Sequence, residues 1–132
     1  MIVVDTSTLV AFYLGANHSG PKVRKALGCD THWAAPVHQP AEMLNVLRGL
    51  VLGRRISKED AAGVLDRWSS TYIEKLPFSS AVIERVWELR NNVSAYDAAY
   101  VAVAEMHELA LVTGDGRLAN APGIRCELRL VR

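Results

Sequence analysis

Short apolar runs alternate with helical patterns from one end of the chain to the other. Runs rich in branched or aromatic residues are typical of β-strands, and apolar residues spaced three or four apart between them are typical of helices. Strands that alternate with helices form βαβ units and a parallel sheet. The sequence therefore predicts an α/β fold. Its predicted strands are Ile2–Val4, Trp33–Ala35, Tyr72–Leu76, Leu109–Val112 and Cys126–Leu130.

Capping residues mark where most of the predicted helices begin. Serine is a favoured N-cap, and an acidic residue three positions later completes a capping box, as Asp60 and Asp97 would. Pro21 is expected in a first turn, and Gly15, Gly28 and Gly53 are expected where helices end. The predicted caps are Ser7, Ser57, Ser79 or Ser80, and Ser94.

Side-chain packing follows from the same periodicity. A helix around Ala41–Leu52 is expected to pack through Leu44, Leu47, Leu50 and Val51, with Glu42 and Asn45 on another stripe. Trp33 and Trp87 are expected in the core. On the helix after Ser57, one apolar stripe is either core or a groove for a partner helix. This stripe consists of Ala61, Ala62, Leu65 and Trp68.

Length, charge and cysteine content narrow the class of protein. A chain of 132 residues, half of them apolar, is expected to form one domain over residues 1–132. A net charge of +1 argues against nucleic-acid binding by bulk electrostatics alone. Cys29 and Cys126 lack zinc-site spacing, which favours a reducing compartment. Neither a signal peptide nor an apolar run of about 20 residues is found, so we expect a cytoplasmic protein without a membrane span.

Two acidic residues directly follow predicted strands. Asp5 comes after the apolar run at the start of the chain, and Asp115 lies in the turn after Leu109–Val112. In open parallel sheets, ligands bind at the carboxyl ends of the strands. Each residue also has a purely structural explanation, because Asp5 could cap the next helix and Asp115 could serve a turn.

Two further acids lie near predicted helix starts. Asp97 belongs to a segment of small and apolar residues, 95–104, that would draw it toward the interior, although it could also complete a capping box. Glu42 lies near the start of its helix, where the macrodipole favours an acid. If these acids met, two charges 4 Å apart would repel by ~4 kcal/mol at a dielectric of 20. Oxygen ligands of this kind select Mg²⁺ or Mn²⁺.

Four segments of the sequence contain these acids: Ile2 to Ser7, Pro40 to Glu42 with Leu47-Arg48, Ser94 to Ala102, and Leu111 to Leu118. Together they resemble the PIN-domain family, and most closely its VapC-type toxin ribonucleases. The resemblance implies about five parallel strands flanked by helices on both faces, with the four acids at the carboxyl edge. It also implies Mg²⁺- or Mn²⁺-dependent RNA hydrolysis by the toxin of a toxin–antitoxin pair, commonly a homodimer neutralised by a small VapB-like antitoxin.

On this basis each site residue has an expected role. Asp5, Asp97 and Asp115 would hold metal and Glu42 would bridge or position a water, so that products carry 5′-phosphate and 3′-hydroxyl ends. Thr6 and Thr113 would hydrogen-bond to the ligands, and Asn45 is a further oxygen donor. The cations expected to contact RNA are Arg48, Arg54, Arg55, Lys58 and Arg117.

Other functions stay open at this point. A ribonuclease that uses histidine as acid and base would draw on His18, His32, His38 and His107. A phosphatase with Asp5 as nucleophile lacks the usual second acid, since Ser7 stands there. A DNA nuclease would use the same metal site. Finally, a catalytically silent module could keep the fold as a platform for a partner.

Overall fold

The computed structural model describes residues 1–131, apart from the side chains of residues 16–20. Its strands form a five-stranded sheet in the order β3-β2-β1-β4-β5. All neighbouring pairs are parallel, so the predicted parallel sheet is confirmed, with strand ends that differ from the predicted ones by no more than two residues. The strands are β1 (Ile2–Val4), β2 (Trp33–Pro36), β3 (Ile73–Leu76), β4 (Ala110–Thr113) and β5 (Leu128–Leu130).

Helices cover both faces of the sheet. Crossovers between parallel strands are right-handed, so the change of direction after β3 sends the first four helices to one face and the last three to the other. In agreement, α1 packs on α2, α3 and α4, while α5 packs on α6. The helices are α1 (Thr6–Leu14), α2 (Ala16–Gly28), α3 (Gln39–Leu52), α4 (Lys58–Ser69), α5 (Ser80–Glu88), α6 (Ala95–Met106) and α7 (Gly116–Ala119).

Most of the predicted helix ends are confirmed. Ser57 forms a reciprocal capping box with Asp60, and Ser79 and Ser94 cap α5 and α6. Gly53 is the C-cap of α3. Gly15 ends α1 with a φ of 86°, a conformation that favours glycine.

Two predictions about helix starts were wrong. Asp5, not Ser7, caps α1, because Asp5 is the single residue between β1 and the helix and its carboxylate accepts from the Thr8 amide. Pro21 lies inside α2 rather than in its first turn, because α2 begins directly after the turn at Gly15. The predicted helix end at Gly28 is confirmed, because Gly28 is the last residue of α2 and Cys29 is its C-cap.

The core departs from the predicted packing at two large side chains. Leu44 is 53% exposed, because α3 turns Met43 and Leu47 toward the core and the position between them points away. Trp87 is 67% exposed on α5. Trp33 does pack against the core, and its indole N–H donates to two backbone carbonyl groups.

The apolar stripe on α4 belongs mainly to the core. Ala61 is buried, and Leu65 and Trp68 are partly buried against the core, whereas Ala62 is exposed. The two cysteines are free thiols. No helix within residues 1–131 is both long and apolar enough to span a bilayer.

Candidate active site

Four acids reach one cleft at the carboxyl edge of the sheet. β1 and β4 are neighbours, and chain connections leave them in opposite directions, so Asp5 and Asp115 lie at the switch point where open α/β sheets bind ligands. Crossover helices run antiparallel to the strands, so α3 and α6 start at this edge and carry Glu42 and Asp97 in their first turns. This cleft, which we call the acid cleft, has a volume of about 260 Å³ and is lined by Asp5, Thr6, Ser7, Glu42, Val46, Asp97, Tyr100, Asp115 and Arg117.

Asp5 is buried and uses its two carboxylate oxygens differently. Oδ1 accepts from the Thr8 amide at 3.0 Å and from the Ser7 hydroxyl at 3.3 Å, which caps α1. Oδ2 accepts from the Thr113 hydroxyl at 2.5 Å. Burial raises the pKa of Asp5, and these hydrogen bonds oppose the rise. The capping role and a place in the cleft are therefore compatible.

Thr113 links the two acids that follow strands. Its hydroxyl donates to Asp5 and accepts from the backbone N–H of Asp115 at 3.0 Å. The side chain is fully buried at the end of β4, so one hydroxyl fixes Asp5 relative to the turn that carries Asp115.

Glu42 is held from the opposite side of the cleft. Its Oε1 accepts from the Thr6 hydroxyl and, at 2.7 Å, from the Tyr100 hydroxyl. Those two hydroxyl oxygens are 2.8 Å apart. Gln39 supports the group, because its Nε2 donates to the Val4 carbonyl at 2.8 Å and to the Tyr100 hydroxyl at 3.2 Å. A buried network thus fixes Oε1 of Glu42.

Asp97 and Asp115 differ in electrostatic environment. The pKa of Asp97 is raised, first by burial and then by the negative charges of Asp115, Glu42 and Asp5. Burial would also raise the pKa of Asp115, but hydrogen bonds and charge from Arg117 lower it overall. The Asp115 Oδ1 accepts from the Arg117 backbone N–H at 2.9 Å. Arg117 therefore offsets the negative charge of Asp115, whereas the charge of Asp97 is destabilised by burial and by the neighbouring acids.

These residues fit a divalent cation by their chemistry. The donors are hard carboxylate oxygens, and a cation would relieve the repulsion that raises the pKa of Asp97. Within residues 1–131, no three acidic, histidine or cysteine side chains form a ready-made metal cage. Mg²⁺ usually keeps several waters and takes only one or two carboxylates directly, so an open cluster suits it.

The other predicted site residues are spread more widely. Asn45 is exposed and lines a neighbouring pocket with Glu42 rather than the acid cleft. Arg117 lines the cleft. A rise of about 1.5 Å per residue puts Leu52, the last residue of α3, about 15 Å along the helix axis from Glu42, and Arg54 follows it in the chain. Four of the predicted cations are exposed on α3 or just beyond it: Arg48, Arg54, Arg55 and Lys58.

Histidine pairs for acid–base chemistry are not brought together among the residues with described side chains. His32 precedes β2 and His107 follows α6, so both lie at the amino edge of the sheet. His38 lies beside the cleft, with its Nε2 4.0 Å from Oε2 of Glu42. The side chain of His18 lies outside the described residues.

Sequence reasoning missed Tyr100 and Gln39, which hold Glu42 in place. Each stands three residues from a cleft acid on the same helix, Tyr100 after Asp97 and Gln39 before Glu42. Residues three apart share a helix face, so a search for polar residues on the acid's own face would have found both.

Known proteins resemble the chain along nearly its whole length. A PIN domain model matches residues 2–124. Ribonuclease VapC1 of Mycobacterium tuberculosis is 41% identical over 130 residues, covering 98% of this chain and 97% of that protein. VapC ribonuclease Mb0985 of Mycobacterium bovis is 33% identical, with 99% and 98% covered. A solved structure of VapBC2 from Rickettsia felis, bound to a DNA fragment from the VapBC2 promoter, shares the fold of this chain. The TM-score is 0.70, the sequence identity is 18%, and 100% of each chain is covered. The chain belongs to the PIN-domain family.

Proposed function

We propose that this protein is a metal-dependent endoribonuclease and the toxin of a toxin–antitoxin pair. One observation carries the proposal: four carboxylates line a single cleft at the switch point of a parallel sheet, and their charges act on one another. Such a cluster suits a divalent cation and a phosphodiester substrate. The relatives that match along nearly their full length are named ribonucleases, which supports RNA as the substrate.

In this proposal Asp5, Asp97 and Asp115 hold Mg²⁺ or Mn²⁺. When bound, the cation would neutralise charge on the phosphate and lower the pKa of a water toward neutrality. Thr113 orients Asp5 and the turn of Asp115 through hydrogen bonds.

Glu42 orients the attacking water in this proposal, and Arg117 binds the RNA phosphate. Because Thr6 and Tyr100 occupy Oε1 of Glu42, Oε2 remains to accept a hydrogen bond from the attacking water and orient it. Arg117, whose side chain is 94% exposed at the cleft, can bind a phosphate oxygen of the RNA. Since water is the nucleophile, products carry 5′-phosphate and 3′-hydroxyl ends.

The proposed partners are a small VapB-like antitoxin and a second copy of the chain. Solved structures that share the fold include a toxin–antitoxin complex from Klebsiella pneumoniae and VapBC2 of Rickettsia felis, which supports an antitoxin. Size-exclusion chromatography with light scattering would test the homodimer.

The test incubates antitoxin-free protein with cellular RNA in Mg²⁺, Mn²⁺ or EDTA. We expect cleavage in one or both metals, none in EDTA, and a loss of at least about 100-fold in Asp97→Asn. Asp66→Asn is the matched control, because it makes the same change at an exposed position on α4. It should cleave at the wild-type rate.

Each contrary outcome has a distinct meaning. Products with 2′,3′-cyclic phosphate would exclude water as the nucleophile. Equal cleavage in EDTA and by Asp97→Asn would contradict the metal site. Cleavage of single-stranded DNA at the same rate would favour a general nuclease, and a folded but inactive wild type would favour a binding module.

A further inference from the structure

A second pocket adjoins the acid cleft. It has a volume of about 330 Å³ and is lined by His38, Ala41, Glu42, Asn45 and Tyr96; we call it the aromatic pocket. Glu42 lines both cavities, and Tyr96 directly precedes Asp97 in the first turn of α6. Any molecule whose phosphate enters the acid cleft therefore passes beside the aromatic pocket.

His38 lies within a cluster of aromatic rings. Its ring centroid is 5.3 Å from that of Tyr100, 5.9 Å from that of Phe78 and 6.0 Å from that of Tyr96. Both ring nitrogens are buried, and neither has a hydrogen-bond partner among the described residues. The Nε2 is 4.0 Å from Oε2 of Glu42, beyond hydrogen-bond reach. Buried polar atoms are normally paired, so the His38 ring beside the pocket keeps hydrogen-bonding capacity that no described residue uses.

The outer wall of the pocket is aromatic and open to solvent. Tyr96, which lines the pocket, is 67% exposed, so core packing does not account for its ring. Phe78 does not line the pocket but contacts the His38 ring behind it. Asn45 adds an exposed amide that offers both a donor and an acceptor. An aromatic face combined with polar groups at its side is the arrangement that binds an unstacked base, by stacking and by hydrogen bonds to its edge.

We propose that the aromatic pocket binds one unpaired nucleobase of the RNA, next to the phosphate that is cleaved. The base stacks on Tyr96, and its edge faces His38 and Asn45. This inference rests on the proposed ribonuclease function and adds a determinant of specificity, since the pocket would distinguish bases at a single position of the substrate.

The test combines changes in the protein with changes in the RNA. Cleavage sites are first mapped on cellular RNA, and one site is placed in a labelled, unstructured oligoribonucleotide. A series then replaces each flanking nucleotide in turn by an abasic one. We expect one position at which base removal lowers the wild-type kcat/KM by about tenfold, the usual scale of base–aromatic stacking. Tyr96→Ala should lower kcat/KM on the intact RNA by a similar factor and lose the dependence at that position.

Three variants separate stacking from other effects. Tyr96→Trp should keep the dependence, because it retains an aromatic face. Tyr72→Ala removes a tyrosine that is 77% exposed before β3, at the amino edge of the sheet, and should change nothing. His38→Phe keeps a ring but removes both nitrogens, so it should alter the preference among the four bases at that position.

The outcomes also separate this inference from the function on which it rests. If base removal lowers kcat/KM by the same factor in Tyr96→Ala as in the wild type at every position, the proposed base subsite is wrong. The ribonuclease function still holds if metal-dependent cleavage persists. If His38→Phe lowers kcat/KM equally for all four bases, His38 affects cleavage without distinguishing the bases, and base recognition by His38 is wrong. If the wild type cleaves no RNA in any metal, both proposals are wrong.

Discussion

The two ends of α6 carry acids in opposite situations. Asp97, in the first turn, has a raised pKa because it is partly buried near three other acids. Glu105, in the last turn, is paired with Arg85 through contacts of 2.7 and 3.1 Å. It also accepts from the Arg125 backbone N–H at 2.8 Å. Burial would raise its pKa, but these partners lower it overall.

The dipole of α6 alone would produce the opposite pattern of pKa shifts at Asp97 and Glu105. A macrodipole stabilises an acid at the N-terminus and disfavours one at the C-terminus. The difference must therefore come from the neighbours that tertiary structure supplies. At the amino edge of the sheet, Arg85 balances the charge and also donates to the Gly123 carbonyl, tying α5 and α6 to the segment before β5. At the carboxyl edge, burial and nearby acids raise the pKa of Asp97.

The largest effect on stability is expected from Glu105→Ala. The Glu105 side chain is only 13% exposed, and its loss leaves the Arg85 guanidinium without its main partner. We expect the free energy of unfolding, measured by urea denaturation, to fall by about 2–3 kcal/mol. RNA cleavage per folded molecule should not change. Glu88→Ala removes the exposed partner of Arg85 and should cost less than about 0.5 kcal/mol.

The ion pair between Glu105 and Arg85 also predicts how the free energy of unfolding depends on pH. Folding lowers the pKa of Glu105 below its ordinary value of 4.5. The carboxylate therefore contributes its full stabilisation to the free energy of unfolding above pH 4.5, and this stabilisation is lost as the pH falls through the folded-state pKa. The gap in stability between wild type and Glu105→Ala should therefore narrow below pH 4.5. A gap that widens on acidification would show that Glu105 is not a stabilising carboxylate.

An intermediate effect is expected from Thr113→Val. The change keeps the buried shape but removes the hydroxyl that joins Asp5 to the turn of Asp115. Groups that orient metal ligands typically contribute 10- to 100-fold, so we expect the rate of RNA cleavage to fall by about tenfold or more. Thr113→Ser keeps the hydroxyl and should retain most of the rate. Equal losses in both variants would point to packing instead of ligand orientation.

Much of the fold could be predicted because local signals agreed with tertiary structure. Alternating strands and helices were enough for the parallel sheet, and the Ser57 capping box was visible in the sequence. Periodicity does not fix which apolar residue faces inward when two are adjacent, as with Met43 and Leu44 on α3. Asp5 also displaced Ser7 as the cap of α1, since both residue types can cap.

The site was less predictable than the fold. The four acids could be proposed from their places after strands and at helix starts, because topology brings those places to one edge. Side-chain networks depend on residues far apart in the chain, and Thr6, Glu42 and Tyr100 meet only after folding. The sequence equally could not show that Asp115 is compensated by Arg117 while Asp97 is not.

We expect the smallest effect from Asp97→Asn on the free energy of unfolding. In metal-free buffer, relief from neighbouring charges and loss of a favourable charge at the start of α6 oppose each other, so the free energy of unfolding should change by less than about 1 kcal/mol. A cation that binds the folded state raises the Tm of the wild type, and the variant should respond much less to Mg²⁺ in a thermal melt. If Mg²⁺ stabilised both equally, or if Asp97→Asn cost as much as Glu105→Ala, the two ends of α6 would not differ in function. Asp97 would then be a structural acid like Glu105.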